Sequence, residues 1–256
     1  MKCGVLLDID GVLTSAGRAI DGAAMAVQRV REAGHPLLFV TNTTSRARGV
    51  LAQDLRRAGF ELEVGEILNP MIAAKDWILV HDRAPAAVFV SPTSRPDLEG
   101  IAVDEIAPKS LVLGDLGEAW SYDELNRVLG ILLDNPDCVL LSLGGTRYWR
   151  AEDGWRLDVG PFAAMFSMAS DREATVLGKP AREFFRLACR MIERDPADVV
   201  MVGDDVVSDV GGAVDAGLRG VLVRTGKFRE GDVARGVSMD ATLDSVASLP
   251  EFLNRP

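Results

Sequence analysis

The chain has 256 residues, 48% hydrophobic and 26% charged, and a formal net charge of −10. That length and apolar content suffice for a buried core, in one large domain or in a domain carrying a smaller second one. The acidic balance argues against nucleic acid and anionic membranes as partners, and the sequence lacks the uninterrupted apolar run a bilayer-spanning helix needs.

The opening stretch MKCGVLLDIDGV carries one lysine, a short apolar run and then acids, which reads as a buried strand rather than a signal peptide. Cys3, Cys138 and Cys189 lie far apart with no CxxC pair, which predicts reduced, core-packed thiols in a cytoplasmic protein. Residues 5–9 are predicted as a strand, 22–33 as a helix closed by Gly34, 36–40 as a second buried strand and 45–58 as a helix stopped by Gly59. His35, just before the second strand, is expected at the surface. The stretch 71–172 then brings its own strands (87–90, 111–113, 138–141) and a helix over 122–133. That helix opens on Ser121 with Glu124 three residues on, the pattern of a capping box. About a hundred residues is too long for a loop inside a compact domain. It is read as an inserted second α/β domain, with linkers at Asn69 and Pro70 and at 170–173. The first rhythm then returns: strand 175–177, helix 181–192, strand 199–202, helix 210–216 closed by Gly217, strand 220–223, and a last helix near 249–253. The alternation predicts an α/β fold with a doubly wound, parallel-sheet (Rossmann-like) core, formed by 1–70 and 173–256 and interrupted by 71–172.

In open α/β sheets ligands bind at the carboxyl ends of the strands. The predicted core strands end in Asp8-Ile9-Asp10-Gly11, Thr41-Asn42-Thr43, Gly178-Lys179-Pro180 and Gly203-Asp204-Asp205, with Asp209 a turn later. Clustered carboxylates repel unless one takes up a proton or a cation intervenes. A hard divalent ion suits oxygen donors and leaves positions for waters and a phosphate. Asp8, Asp10 and Asp204 are therefore read as a Mg²⁺ cradle, with Lys179, Thr41 and Asn42 as donors to a phosphoryl group. A carboxylate of ordinary pKa near 3.9 is ionised at neutral pH and can attack phosphorus without a base. A second acid two residues on can then serve as proton shuttle.

The ordered set DIDGV, VTNTTS, GKP and VGDDVVSDVGGA resembles the four motifs of the haloacid dehalogenase-like phosphatase superfamily, and the likeness covers both halves of the core. The resemblance implies Asp8 as nucleophile and Asp10 as general acid/base, with Asp10 holding the metal through its main-chain carbonyl. It further implies Thr41 and Lys179 as phosphate stabilisers, Asp204 as third metal ligand, and Asp205 and Asp209 behind them. An insertion between the Thr-Asn strand and Lys179 resembles the class with a large α/β cap, and the segment SLGGTRYWRAEDGWRLDVGPF (142–162) resembles such a cap. In that class the cap selects the leaving group and offers a surface for homodimer pairing.

Bland alternatives stay open for several residues. Asp205 and Asp209 also suit first-turn acids answering a helix dipole. Thr41 and its neighbours also suit helix capping, which is the role given to Ser45. Arg147 and Tyr148 are either a loop over the substrate or part of the inserted domain's rim. The expected function is Mg²⁺-dependent hydrolysis of a small phosphorylated substrate through an aspartyl-phosphate. A phosphotransferase or mutase, and a non-catalytic phospho-receiver or binding protein, are its rivals.

Overall fold

The computed structural model describes residues 2–151 and 154–254. Its centre is the strand Gly4–Asp8, buried at every position, which an apolar run on both faces requires of a strand covered from both sides. It pairs in parallel with Leu37–Val40 on one side and Val199–Gly203 on the other. The full sheet has six strands, all parallel, in the order Ala241–Leu243, Arg219–Val223, Val199–Gly203, Gly4–Asp8, Leu37–Val40, Ile67–Leu68. Helix Ala23–Glu32 turns Ala23, Ala26, Val27 and Val30 inward, a spacing that keeps one stripe on the sheet. Burying each such valine contributes about 1.5–3 kcal/mol. Helix Arg182–Met191 does the same with Phe184, Phe185, Leu187 and Ala188.

The chain divides into two compact units: residues up to Thr41, Arg48–Leu68 and from Lys179 onward in the first, Asn42–Ala47 and Asn69–Gly178 in the second. The second unit has its own parallel four-stranded sheet, ordered Thr175–Val176, Val139–Ser142, Ser110–Leu113, Ala86–Phe89. Its core packs Phe89, Leu111, Leu113, Val128, Leu140 and Phe166. Helix Tyr122–Asp134 begins as the sequence predicts, with the Ser121 side chain accepting from the Glu124 N–H at 3.1 Å.

Some expectations change. Strand Thr175–Val176 pairs with Val139–Ser142 in the second sheet, not with the core sheet. Two residues carry too little pattern to say which sheet they join. Asn69 and Pro70, where the chain passes into the second unit, are also the N-cap and first residue of helix Pro70–Val80, whose Ile72 N–H donates to Asn69 Oδ1 at 3.1 Å. The predicted helix 210–216 starts earlier, as a π-helix Val206–Gly211 running into Gly212–Asp215. His35 is buried, its Nδ1 lying 3.0 Å from the Cys3 carbonyl oxygen. The three cysteines are free, and burial pushes the Cys138 and Cys189 thiols up to about 11. No helix among the described residues is long and apolar enough to cross a membrane.

Candidate active site

From its central strand the chain runs out to Leu37–Val40 and Ile67–Leu68, then returns on the opposite side at Val199–Gly203. The carboxyl ends of Gly4–Asp8 and Val199–Gly203 therefore flank the switch point, where connections part and leave a crevice. Asp8 ends one strand and Asp204 follows the other. Both are buried.

The π-helix brings in a third carboxylate. Asp205 caps it, its Oδ1 accepting from the Val207 and Ser208 N–H groups at 3.0 Å each. Asp209 lies on its inner side and accepts from the Asp205 N–H at 3.1 Å through Oδ2. The strand end makes room for it: a Cβ on Gly203 would stand 2.2 Å from the Asp209 Cβ. Lys179 joins the acids from its buried place, with Nζ 2.7 Å from Asp8 Oδ1 and 2.7 Å from Asp209 Oδ1. Asp204 accepts from the Lys227 N–H at 2.7 Å through Oδ2. Its Oδ1 is buried and has no hydrogen-bond partner among the described residues.

Electrostatics follow from this crowding. Burial first, then Asp209, pushes the Asp8 carboxyl up, against the pull of Lys179. Burial lifts Asp204 to about 6, although the Lys227 N–H opposes it. Burial alone would lower Lys179, but Asp209 and Asp8 outweigh it and hold its pKa above the ordinary value. Asp205 also feels burial, yet the Ser208 and Val207 N–H groups overcome it and keep its carboxyl below the usual range. Without a cation, burial works against the charge on Asp8. One oxygen each from Asp8, Asp204 and Asp209 lie within 4.8 Å of one another. Three carboxylates facing one ammonium, all hard oxygen donors, with one buried oxygen unpartnered, fit a divalent cation.

Asp8, Lys179, Asp204 and Asp209 are thus brought together. The Asp10 side chain is exposed and stands outside the carboxylate cluster, its backbone bridging to Thr14. Thr41 is buried just past strand Leu37–Val40, and its N–H donates to the Leu68 carbonyl at 3.0 Å. Asn42 falls in the second unit, where its Oδ1 lies 3.0 Å from where a Cβ on Gly178 would be. Arg147 and Tyr148 stand at the start of the hairpin formed by Tyr148–Ala151 and Gly154–Leu157. Its rings pack edge to face, Tyr148 on Trp155 at 5.2 Å, and Arg147 and Tyr148 line a cavity of about 930 Å³ in the second unit. Glu152 and Asp153, inside the segment compared with a cap, lie outside the described residues. Sequence reasoning gave Thr225 and Lys227 no role in the site.

Comparison with known proteins adds to this geometry. Residues 5–103 match the family model described as haloacid dehalogenase-like hydrolase, and residues 176–249 match a second, HAD-hydrolase-like model. The chain is similar to phospholysine phosphohistidine inorganic pyrophosphate phosphatase of Danio rerio, 39% identical over 250 residues, covering 96% of this chain and 92% of that one. The Homo sapiens protein of the same description is 35% identical over 264 residues, covering 98% and 93%. Among solved structures, p-nitrophenyl phosphatase from Archaeoglobus fulgidus superposes with a TM-score of 0.90 at 25% identity, covering 98% of this chain and 99% of that one.

Proposed function

Because the chain belongs to the haloacid dehalogenase-like hydrolase family and is a phosphatase of that family, we propose that it is a Mg²⁺-dependent enzyme that cleaves a small phosphorylated substrate through an aspartyl-phosphate on Asp8. Phosphomonoesters, phosphoramidates and pyrophosphate are the candidate substrates. The names of the relatives, which include phospholysine, phosphohistidine and pyrophosphate, support all but the first; the p-nitrophenyl phosphatase supports that one.

The observation that carries the reading is the buried, unpartnered Asp204 Oδ1 beside the Asp8–Lys179 pair. Asp8 and Asp204 would hold the ion by their carboxylates and Asp10 by its main-chain carbonyl. Asp209 is committed to Lys179 and to the Asp205 N–H, which makes it the anchor of the lysine. When bound, Mg²⁺ supplies the positive charge that lets Asp8 stay ionised next to an anionic substrate.

The chain's own groups do the rest. An Asp8 carboxylate oxygen attacks phosphorus, and the bond from phosphorus to the leaving oxygen or nitrogen breaks. Asp10, exposed and free to turn, gives its proton to the leaving atom. The Asp10 carboxylate then takes a proton from water, whose oxygen attacks phosphorus and breaks the acyl-phosphate bond, releasing phosphate and restoring Asp8. Lys179, and Thr41 with Asn42, donate to the equatorial oxygens on which charge is spread. Arg147 and Tyr148 are assigned to substrate selection.

A panel of phosphorylated metabolites assayed with and without Mg²⁺ tests this. Turnover of at least one member that vanishes with chelator, together with a beryllium fluoride adduct on Asp8, is the expected result. Turnover indifferent to chelator, or an adduct on another residue, overturns it.

A further inference from the structure

The turn that follows strand Arg219–Val223 touches both acid-bearing segments of the site. Thr225 donates its hydroxyl to the Gly11 carbonyl. Two residues on, the Lys227 N–H donates to Asp204 Oδ2 at 2.7 Å. Gly226 fills the space between. A Cβ on Gly226 would stand 2.0 Å from Asp204 Oδ2 and 2.6 Å from the Gly11 Cα, and a Cβ on Gly11 would stand 1.9 Å from the same oxygen. Both glycines also have positive φ, +63° and +87°, where a side chain is strained. Asp204 Oδ2 is therefore boxed in by two backbones and saturated by an N–H. Oδ1 is the oxygen left to face a ligand, and it has no hydrogen-bond partner among the described residues.

A carboxylate with two equivalent oxygens can present either of them, or both, to an ion. A charge-assisted hydrogen bond to one oxygen removes that choice and fixes the plane of the group. We propose that the turn 225–227 is a clasp that presents Asp204 to the cation through Oδ1 alone and sets its distance from the Asp8–Gly11 turn. Thr225 is its positioning residue, acting through Gly11 and Asp204 without touching substrate. The proposal rests on the magnesium reading above and assigns a group outside the four motifs to that site. Outer partners of metal ligands typically change metal affinity by about 10–100-fold when removed.

The test uses the full chain, stripped of metal, with Mg²⁺ affinity measured by titration calorimetry and folding by circular dichroism. Thr225→Val keeps the shape and removes the hydroxyl. It should stay folded, bind Mg²⁺ roughly tenfold more weakly, and lower kcat with KM for substrate nearly unchanged. Thr225→Ser should restore both within about twofold, because the hydroxyl returns. Gly226→Ala, which drives a methyl into Asp204 Oδ2, should weaken Mg²⁺ more than Thr225→Val does. Wild-type Mg²⁺ affinity in folded Thr225→Val, or failure of Thr225→Ser to rescue, overturns the clasp. Should Thr225→Val not fold, wild-type affinity in folded Gly226→Ala overturns it equally. A wild-type protein that binds no Mg²⁺ sinks the magnesium reading itself, a result distinct from all of these.

Discussion

At the carboxyl edge of the six-stranded sheet, buried Asp8, Asp204, Asp209 and Lys179 crowd together with an oxygen left unpaired. At the same edge of the four-stranded sheet the strands end in Phe89, Leu113, Ser142 and Val176. There the buried Ser142 hydroxyl is satisfied locally, donating to the Gly144 carbonyl at 2.7 Å. Both sheets are parallel, and both offer the edge where α/β proteins bind ligands. The difference is one of electrostatic accounting. At one edge the buried hydroxyl is answered by a neutral carbonyl, while at the other three buried carboxylates share one buried lysine. Parallel topology supplies a location, and an imbalance of buried charge supplies a reason for a ligand to go there.

The comparison is broken most sharply at Asp8. Asp8→Asn should reduce turnover on the order of 10⁴-fold or more, since the attacking oxygen is gone; steady-state assays with purified variant check it. Asp10→Asn should lose roughly 10²–10⁴-fold while keeping Mg²⁺ affinity, because its side chain moves a proton and stands outside the cluster. Lys179→Met leaves Asp8 and Asp209 buried without their shared partner. It should cost about 3–5 kcal/mol of stability in urea unfolding, beyond its loss of activity.

The charge imbalance also predicts a pH response. In the metal-free protein, folded Asp204 titrates at about 6 rather than 3.8, so the folded state holds a proton the unfolded chain releases earlier. That stability is present below pH 3.8 and is lost as pH rises through about 6; the raised Asp8 continues the loss at higher pH. Thermal melts of chelated protein should fall across that window, Asp204 alone contributing the equivalent of roughly 2–3 kcal/mol, and Mg²⁺ should restore most of the loss at neutral pH. Smallest of all, Ser142→Ala at the other edge should cost about 1 kcal/mol and leave Mg²⁺ affinity unchanged by calorimetry.

Much of the core was legible because its strands are buried on both faces. Gly4–Asp8 and Val199–Gly203 read as apolar runs, and the acids after them stand out as charges where a core strand stops. Helix Pro70–Val80 was hidden because apolar residues leave no clear polar stripe, though Asn69 before Pro70 was a start signal. Helix Val159–Ser170 went unread for the same lack of a stripe. The hairpin formed by Tyr148–Ala151 and Gly154–Leu157 went unread although Asp153-Gly154 in the sequence is a turn signal. At the site, Asp209 was legible as an acid but not as the partner of Lys179, because that pairing depends on the π-helix and on contact between residues 30 apart. The role of the Thr225 turn was not legible, since its donors are a hydroxyl and a backbone N–H, which sequence does not distinguish from those of any other turn.

The central strand has a consequence for synthesis. Gly4–Asp8 leaves the ribosome almost two hundred residues ahead of its neighbour Val199–Gly203. Until then a largely apolar segment has an unpaired flank, the kind of surface that recruits chaperones and invites aggregation. Nascent chains stalled before residue 199 hold the nucleophile with no place to put it.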